Sequence, residues 1–342
     1  MSLRRRLPAP LASAAAATAI LVAAAGAGGA TAAGAPEVVV SIKPIHSLVA
    51  GVMAGVGEPG LILRGGASPH TYQMRPSEAR MLDGADVVFY VGEALETFLA
   101  KPLRSLGGDA RVVALMEAEG IELLPYRQNG PLEGHGHHGG RAGRTAGAGN
   151  HDHEREAAAE HDYDEHDHAG MDAHIWLDPA NARAIVRAVA AELAAVNPDH
   201  RESYRENARR VVARLNALDG ELHTLLEPVK GVPFVVFHDA YQYLERRYGL
   251  SAVGAITLGP ERRPGAHHLR EVRARIRELD ARCVFSEPQF EPKLVATAIE
   301  GTNARAGVLD PEGGAREVGP DAYFELMRAN AAALVSCLGR QS

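Results

Sequence analysis

The stretch DHRESYRENARRVVARLNALDGELHTLL, residues 199–226, decides how the chain is divided. Its apolar positions Tyr204, Ala208, Val211, Leu215, Leu218, Leu222 and Leu225 recur at alternating spacings of four and three, marking one narrow stripe along a long helix. Another helix precedes it. Asp178-Pro179 offers an N-cap followed by proline at the first helical position, and the pattern runs to about residue 196, where Asn197-Pro198 repeats the signal. Residues 179–228 therefore read as connecting helices.

Outward from this segment the pattern changes. Short β-rich runs fall at 38–42, 61–63, 86–91, 111–114, 234–237 and 283–286, with helical patterns such as 77–82 and 268–279 between them. Strand and helix in alternation imply parallel sheets with helices on their faces. The expected fold class is α/β: two lobes, 36–178 and 229–342, each a parallel-rich sheet flanked by helices, joined by a long rigid helix. Such a connection implies a small lobe motion. A chain of 342 residues has room for two lobes.

Composition narrows the function. The chain is 46% hydrophobic and 23% charged, and its net charge of −7 gives no reason to expect nucleic acid as a partner. Arg4, Arg5 and Arg6, an apolar run over 11–25 and small residues at Ala30, Ala32 and Ala33 read as an export signal over 1–33. An uncleaved anchor is the alternative, but the alanine-rich run is only weakly hydrophobic. Two cysteines, Cys283 and Cys337, are expected to form one disulfide in an exported protein, two buried thiols being the alternative. Closing a loop of that length is worth up to about 4 kcal/mol in the chain-entropy model.

The anomaly is histidine. Eight of the sixteen lie between His135 and His168, in a segment, 132–170, without hydrophobic periodicity. His135, His137, His138, His151, His153, His161, His166 and His168 alternate with acids such as Asp152, Asp162, Asp164, Glu165 and Asp167. Neutral imidazole suits Zn²⁺, Cu²⁺ and Ni²⁺, so this mobile loop is expected to bind metal in an auxiliary way, weakly and with little selectivity. Three other histidines sit in ordered contexts: His70 in a turn after a strand, His174 at a helix start and His238 at a strand end. Ligands in open α/β sheets bind beyond the carboxyl ends of strands, where His70 and His238 stand in opposite lobes.

The runs GASPHTYQMRPS (66–77), DAHIWLDP (172–179) and FHDAY (237–241) resemble the ligand motifs of the zinc-uptake ABC solute-binding proteins. CVFSEPQF (283–290) and Leu309-Asp310-Pro311 are similar to further blocks, and the likeness runs in order along nearly the whole chain. The resemblance implies an extracytoplasmic, periplasmic protein that captures Zn²⁺ between its lobes as cargo and delivers it to an inner-membrane ABC permease with its ATPase, acting as a monomer and not as an enzyme. It implies His70, His174 and His238 as zinc ligands, with Asp310 or a water completing the tetrahedron. Manganese-binding relatives carry an acid where this chain has His238, and nitrogen there favours zinc over the harder Mn²⁺. Pro69 stands where some members have an acid, which removes that position as a ligand. Ala255 replaces a histidine linked to a secondary site, leaving His267 and His268 as nearby candidates expected to face solvent.

Other readings use the same residues. A zinc-dependent periplasmic hydrolase would need a base, for which Asp239, Glu287 and Asp310 are available. A periplasmic metal buffer or chaperone would need no permease, and a transporter of Mn²⁺ or Ni²⁺ would need the same surfaces. Gly55, Gly57 and Gly60 meet the spacing of a dinucleotide loop, but they follow a helical run and precede a strand, the wrong context. His153-Glu154 lacks the second histidine of a zinc protease motif, Ala157 standing in its place.

Overall fold

Continuous apolar runs make the central strands, as parallel strands buried on both faces require. The computed structural model describes residues 34–106, 110–127, 170–257 and 264–339. Residues 1–33, expected to be an export signal, and the eight histidines from His135 to His168 lie outside the described residues. Strands β1 (Val38–Val40), β2 (Gly60–Leu61), β3 (Val87–Tyr90) and β4 (Arg111–Ala114) form one parallel sheet in the order β2-β1-β3-β4. A second parallel sheet, in the order β6-β5-β7-β8, joins β5 (Pro233–His238), β6 (Ser251–Thr257), β7 (Cys283–Ser286) and β8 (Arg305–Val308).

Helices α1 (Lys43–Met53), α2 (Pro76–Asp83) and α3 (Ala100–Leu106) belong to the first lobe; α6 (Gln242–Tyr248), α7 (Ala266–Glu278), α8 (Lys293–Ile299) and α9 (Ala322–Leu338) to the second. Between them run α4 (Pro179–Val196) and α5 (Arg201–Leu226). The expected class, two α/β lobes joined by a long helix, is the observed one. Among the described residues, no helix is long and apolar enough to cross a membrane.

Asp178 caps α4 by accepting from the Ala180 N–H at 2.7 Å, and Pro179 takes the first helical position. The stripe of α5 is buried at Tyr204, Ala208, Val211, Leu215, Leu218 and Leu222, then passes to Leu226, with Leu225 only partly covered. Asn207 is buried in the same stripe. Its amide donates to the Val52 and Ala54 carbonyls, 2.8 Å each, satisfying groups that α1 leaves free at its C-terminal end.

Alternate residues of the second sheet face different cores, as period-two geometry demands. Phe234 and Val236 point into the large cluster that runs through α4, α5 and α9 into the first lobe, whereas Val235 and Phe237 pack on α7 and α8. The main apolar core is thus continuous across the boundary between sheets. Helix α9 packs on α1 and α5 as well as on β8, and the Cys283–Cys337 disulfide ties it to β7. Asp219 on α5 accepts from Arg183 of α4 at 3.2 Å, and from Arg247 Nε at 2.7 Å and Tyr248 Oη at 3.0 Å, both of α6.

Polar ties also cross between the lobes near the strand ends. Buried Lys43 donates to the Gly313, Gly314 and Arg316 carbonyls at 2.8, 3.0 and 2.7 Å. Trp176 Nε1 donates to the Pro311 carbonyl at 2.8 Å, and Tyr323 Oη donates to the Trp176 carbonyl at 2.8 Å.

Two strands, β6 and β8, carry no strong β signal. β6 reads SAVGAIT and β8 reads RAGV, both diluted by glycine and alanine. In β8 the reason is steric: a Cβ at Gly307 would lie 2.5 Å from Phe285 Cε1 in a fully buried ring. Gly307→Ala is expected to lower stability by about 1–3 kcal/mol through overpacking, measured as a fall in the denaturant midpoint; a midpoint equal to wild type would show that the ring can yield.

Candidate metal centre

Each of the three ordered histidines reaches the site from a different kind of local structure. His238 is the last residue of β5, His70 lies in the loop between β2 and α2, and His174 precedes the single 3₁₀ turn Ile175–Leu177 that leads into α4. Carboxyl-end placement brings the first two to the same crevice from opposite sheets. The chain returns His174 to that crevice before α4 turns away.

The geometry is that of three converging ring nitrogens. His70 Nε2 and His238 Nε2 each lie 3.3 Å from His174 Nε2, and the three ligand atoms are all within 4.8 Å of one another. Two of the rings are held from behind. His174 Nδ1 donates to Asp172 Oδ1 at 2.7 Å, and His238 Nδ1 donates to Glu287 Oε1 at 2.7 Å. A carboxylate can only accept, so the Nδ1 atoms carry the protons and the Nε2 lone pairs point inward. Paired in this way, an imidazole is both oriented and made a stronger donor to a metal.

Electrostatics keep two of the rings neutral. Burial, then the neighbouring imidazoles His174 and His238, lowers the His70 pKa to about 2. Burial and His238 hold His174 well below the ordinary histidine value. His238 goes the other way: burial acts to lower its pKa, but Glu287, with Asp239 and Asp172, outweighs it and leaves the value raised. Lone pairs crowded this closely in a buried place repel one another, and a shared cation removes that repulsion.

A cavity of about 10 Å³ adjoins the trio, walled by Ser68, His70, His238, Glu287, Phe290 and Glu312 among others. That is room for one ion or water and no more. A far roomier groove, of about 710 Å³, lies between α4 and α5. Alanines, arginines and one valine line it, so it offers no metal donor.

The other candidate residues fall out as follows. Asp310 is not part of the trio. Its Oδ1 accepts from the backbone N–H groups of Glu312 and Gly313 at 3.1 and 2.9 Å and from Gln289 Nε2 at 3.1 Å, so it builds a turn. Glu312, which the sequence did not single out, lines the cavity instead. His267 is exposed, as expected, beside Glu271 at 3.4 Å. His268 differs from the expectation: its side chain is 22% exposed and its Nε2 turns inward to the Ala255 carbonyl at 3.1 Å. The helix start faces β6 there, which sequence spacing does not reveal.

Asp172 and Glu287 are the imidazole partners that motif reading passed over. The Asp-x-His spacing of Asp172 and His174 was a usable signal, since a side chain two residues away can reach Nδ1. Glu287 is 49 residues from His238, and only the pairing of β5 with β7 makes them neighbours.

Comparison with known proteins identifies the family. The chain matches the ZnuA family, described as zinc-uptake complex component A periplasmic, over residues 38–337. It is 47% identical over 307 residues to the high-affinity zinc uptake system protein ZnuA of Brucella suis biovar 1, covering 89% of this chain and 92% of that one. A crystal structure of ZnuA has the same fold, with a TM-score of 0.70 at 21% identity, covering 89% of this chain and 100% of that one. The periplasmic zinc binding protein TroA from Treponema pallidum does too, with a TM-score of 0.69 at 22% identity, covering 90% of this chain and 100% of that one. A match that spans both sheets and the helices between them, supported by such identity, means that this chain belongs to the ZnuA family of periplasmic zinc-uptake components.

Proposed function

We propose that this protein is the zinc-capturing component of a high-affinity uptake system, working in the periplasm and delivering Zn²⁺ to an ABC permease and its ATPase. Zinc is the cargo, and the Nε2 atoms of His70, His174 and His238 hold it. The observation that carries this reading is the convergence of three inward Nε2 atoms, two of them oriented by a carboxylate on Nδ1.

Chemistry favours the assignment. Three neutral nitrogen donors suit zinc and disfavour Mn²⁺. Zinc prefers four-coordinate tetrahedral geometry, so a water, or Asp310 through the oxygen its turn leaves unused, would complete the set. Transport rather than catalysis is the better reading for two reasons. The hollow beside His70 and His238 is only about 10 Å³, the size of an ion or a water. The acids that could act as bases each have a structural tie: Asp239 faces Arg127 at 3.3 Å, Glu287 accepts from His238 through one oxygen and Asp310 holds its turn through one oxygen.

A chelator-competition titration tests the site. Wild type is expected to show one tight zinc site, retained when residues 133–170 are deleted and lost in His70→Ala, His174→Ala or His238→Ala, with Mn²⁺ and Ni²⁺ bound less tightly. Loss of tight binding on the deletion alone would make the inserted segment the capture site and overturn the assignment.

The pH dependence has a definite sign. Zinc needs neutral imidazole, and His238 has the raised pKa, so the proton that competes with zinc is taken up there. His70 and His174, held low, take up none over the same range. Affinity should therefore fall as pH drops through the His238 value, above the ordinary histidine value of about 6.5, by about tenfold per unit. Titrations at several pH values check this; an affinity unchanged between about pH 7.5 and 5.5, either side of the free-histidine value, would remove the three-histidine site.

A further inference from the structure

His174 and His238 stand on chains from different lobes, yet their Nε2 atoms are 3.3 Å apart. Asp172 orients one ring and Glu287 the other, but neither hydrogen bond fixes the distance between the rings. That needs a tie between the two chains themselves.

The chain leading to His174 begins as one arm of a short antiparallel neck. Tyr126 N–H donates to the Gly170 carbonyl and Asp172 N–H to the Leu124 carbonyl, 2.7 Å each, around the Pro125–Met171 bridge. The first turn of α6, three residues after Asp239, grips both arms. Tyr243 Oη donates to the Asp172 carbonyl at 2.7 Å and accepts from the Leu124 N–H at 3.1 Å. Gln242 Nε2 donates to the Pro125 carbonyl at 3.0 Å. From the neck, Arg127 reaches back: Nε to Gln242 Oε1 at 2.9 Å, one amine to Glu245 Oε2 at 3.1 Å and the other to Asp239 Oδ1 at 3.3 Å. Asp239 adjoins His238 in the chain, and Asp172 is the partner of His174. Tyr243 is 2% exposed, so its two bonds are made away from water.

We propose that Tyr243 and Arg127 form a clamp that sets the spacing of His174 against His238, and that both are positioning residues for zinc capture. This rests on the reading that the three imidazoles take zinc. The tie through Trp176 and Pro311 joins the His174 chain to the loop after β8, not to β5, so it does not replace the clamp. Partners bonded directly to a metal ligand typically change affinity by about 10- to 100-fold when removed, and the clamp acts through one of them, Asp172, so the lower end of that range applies.

Tyr243→Phe removes the hydroxyl with no change of charge, and Arg127→Lys keeps the charge but loses the planar fork. Both are to be made in the full chain beside His174→Ala and compared by zinc titration, by melting with and without zinc, and by the visible spectrum of the Co²⁺-loaded protein. The expected result is a Kd about tenfold or more above wild type, a smaller zinc-induced rise in Tm and altered Co²⁺ band intensities. If His174→Ala loses zinc while both clamp variants keep the wild-type Kd and spectrum, even with a lower zinc-free Tm, the clamp is only structural and the proposal falls. If His174→Ala itself keeps wild-type affinity, the reading of the trio fails and takes the clamp with it. Should Tyr243→Phe not fold, Arg127→Lys decides.

Discussion

Two hydrogen bonds of 2.7 Å, from His174 Nδ1 to Asp172 and from His238 Nδ1 to Glu287, govern the chemistry of this molecule. Each places a proton on the outer nitrogen and so commits the inner one to a lone pair. A carboxylate one shell behind the ligand can balance a divalent cation without touching it, although burial pushes the Asp172 carboxyl up to about 7. A ligand set of neutral nitrogens with anionic support favours a borderline-soft ion such as zinc. Carboxylates in the inner shell would favour harder ions.

Such a site is useful only if its halves keep their distance, and the rest of the fold serves that need. The end of β5 and the loop after β2 supply one histidine each, and the sheets share a core that passes through α4, α5 and α9. Asp219 joins the long helix to α6, Lys43 joins α1 to the chain at 313–316, and Trp176 and Tyr323 stitch the strand ends. Burial of apolar surface supplies the stability, at roughly 25 cal/mol for each Å² removed from water. The polar ties add direction, because an unmet buried donor or acceptor costs about 1–3 kcal/mol and so resists displacement. A pair of lobes tied through a continuous core is unlike one hinged on flexible strands.

Much of this was legible in the residues. Stripe spacing announced α5, Asp178-Pro179 announced the start of α4, and apolar runs announced six of the strands. These features depend on neighbours within a few positions, so local physics is enough to read them. The weaker strands were not legible. Gly307 in β8 is required by the Phe285 ring beside it, and that proximity belongs to the packed sheet, not to the tetrapeptide. Leu226 replaces Leu225 on the buried face for a similar reason, since a stripe drifts round a long helix and the partner surface decides which residue it meets.

What the sequence by itself determined is the α/β class, the starts of the two long helices and the three histidines worth watching. Residue type and local pattern carry that information. Only the tertiary structure decided that the three Nε2 atoms meet, that Glu287 serves His238, that Asp310 makes a turn while Glu312 walls the cavity, and that Tyr243 and Arg127 grip the neck. The physical reason is distance along the chain. His238 and Glu287 are 49 positions apart, and Tyr243 is 71 from the carbonyl it binds. Which of many distant polar groups becomes a partner depends on sheet order and on the packing of one lobe against the other.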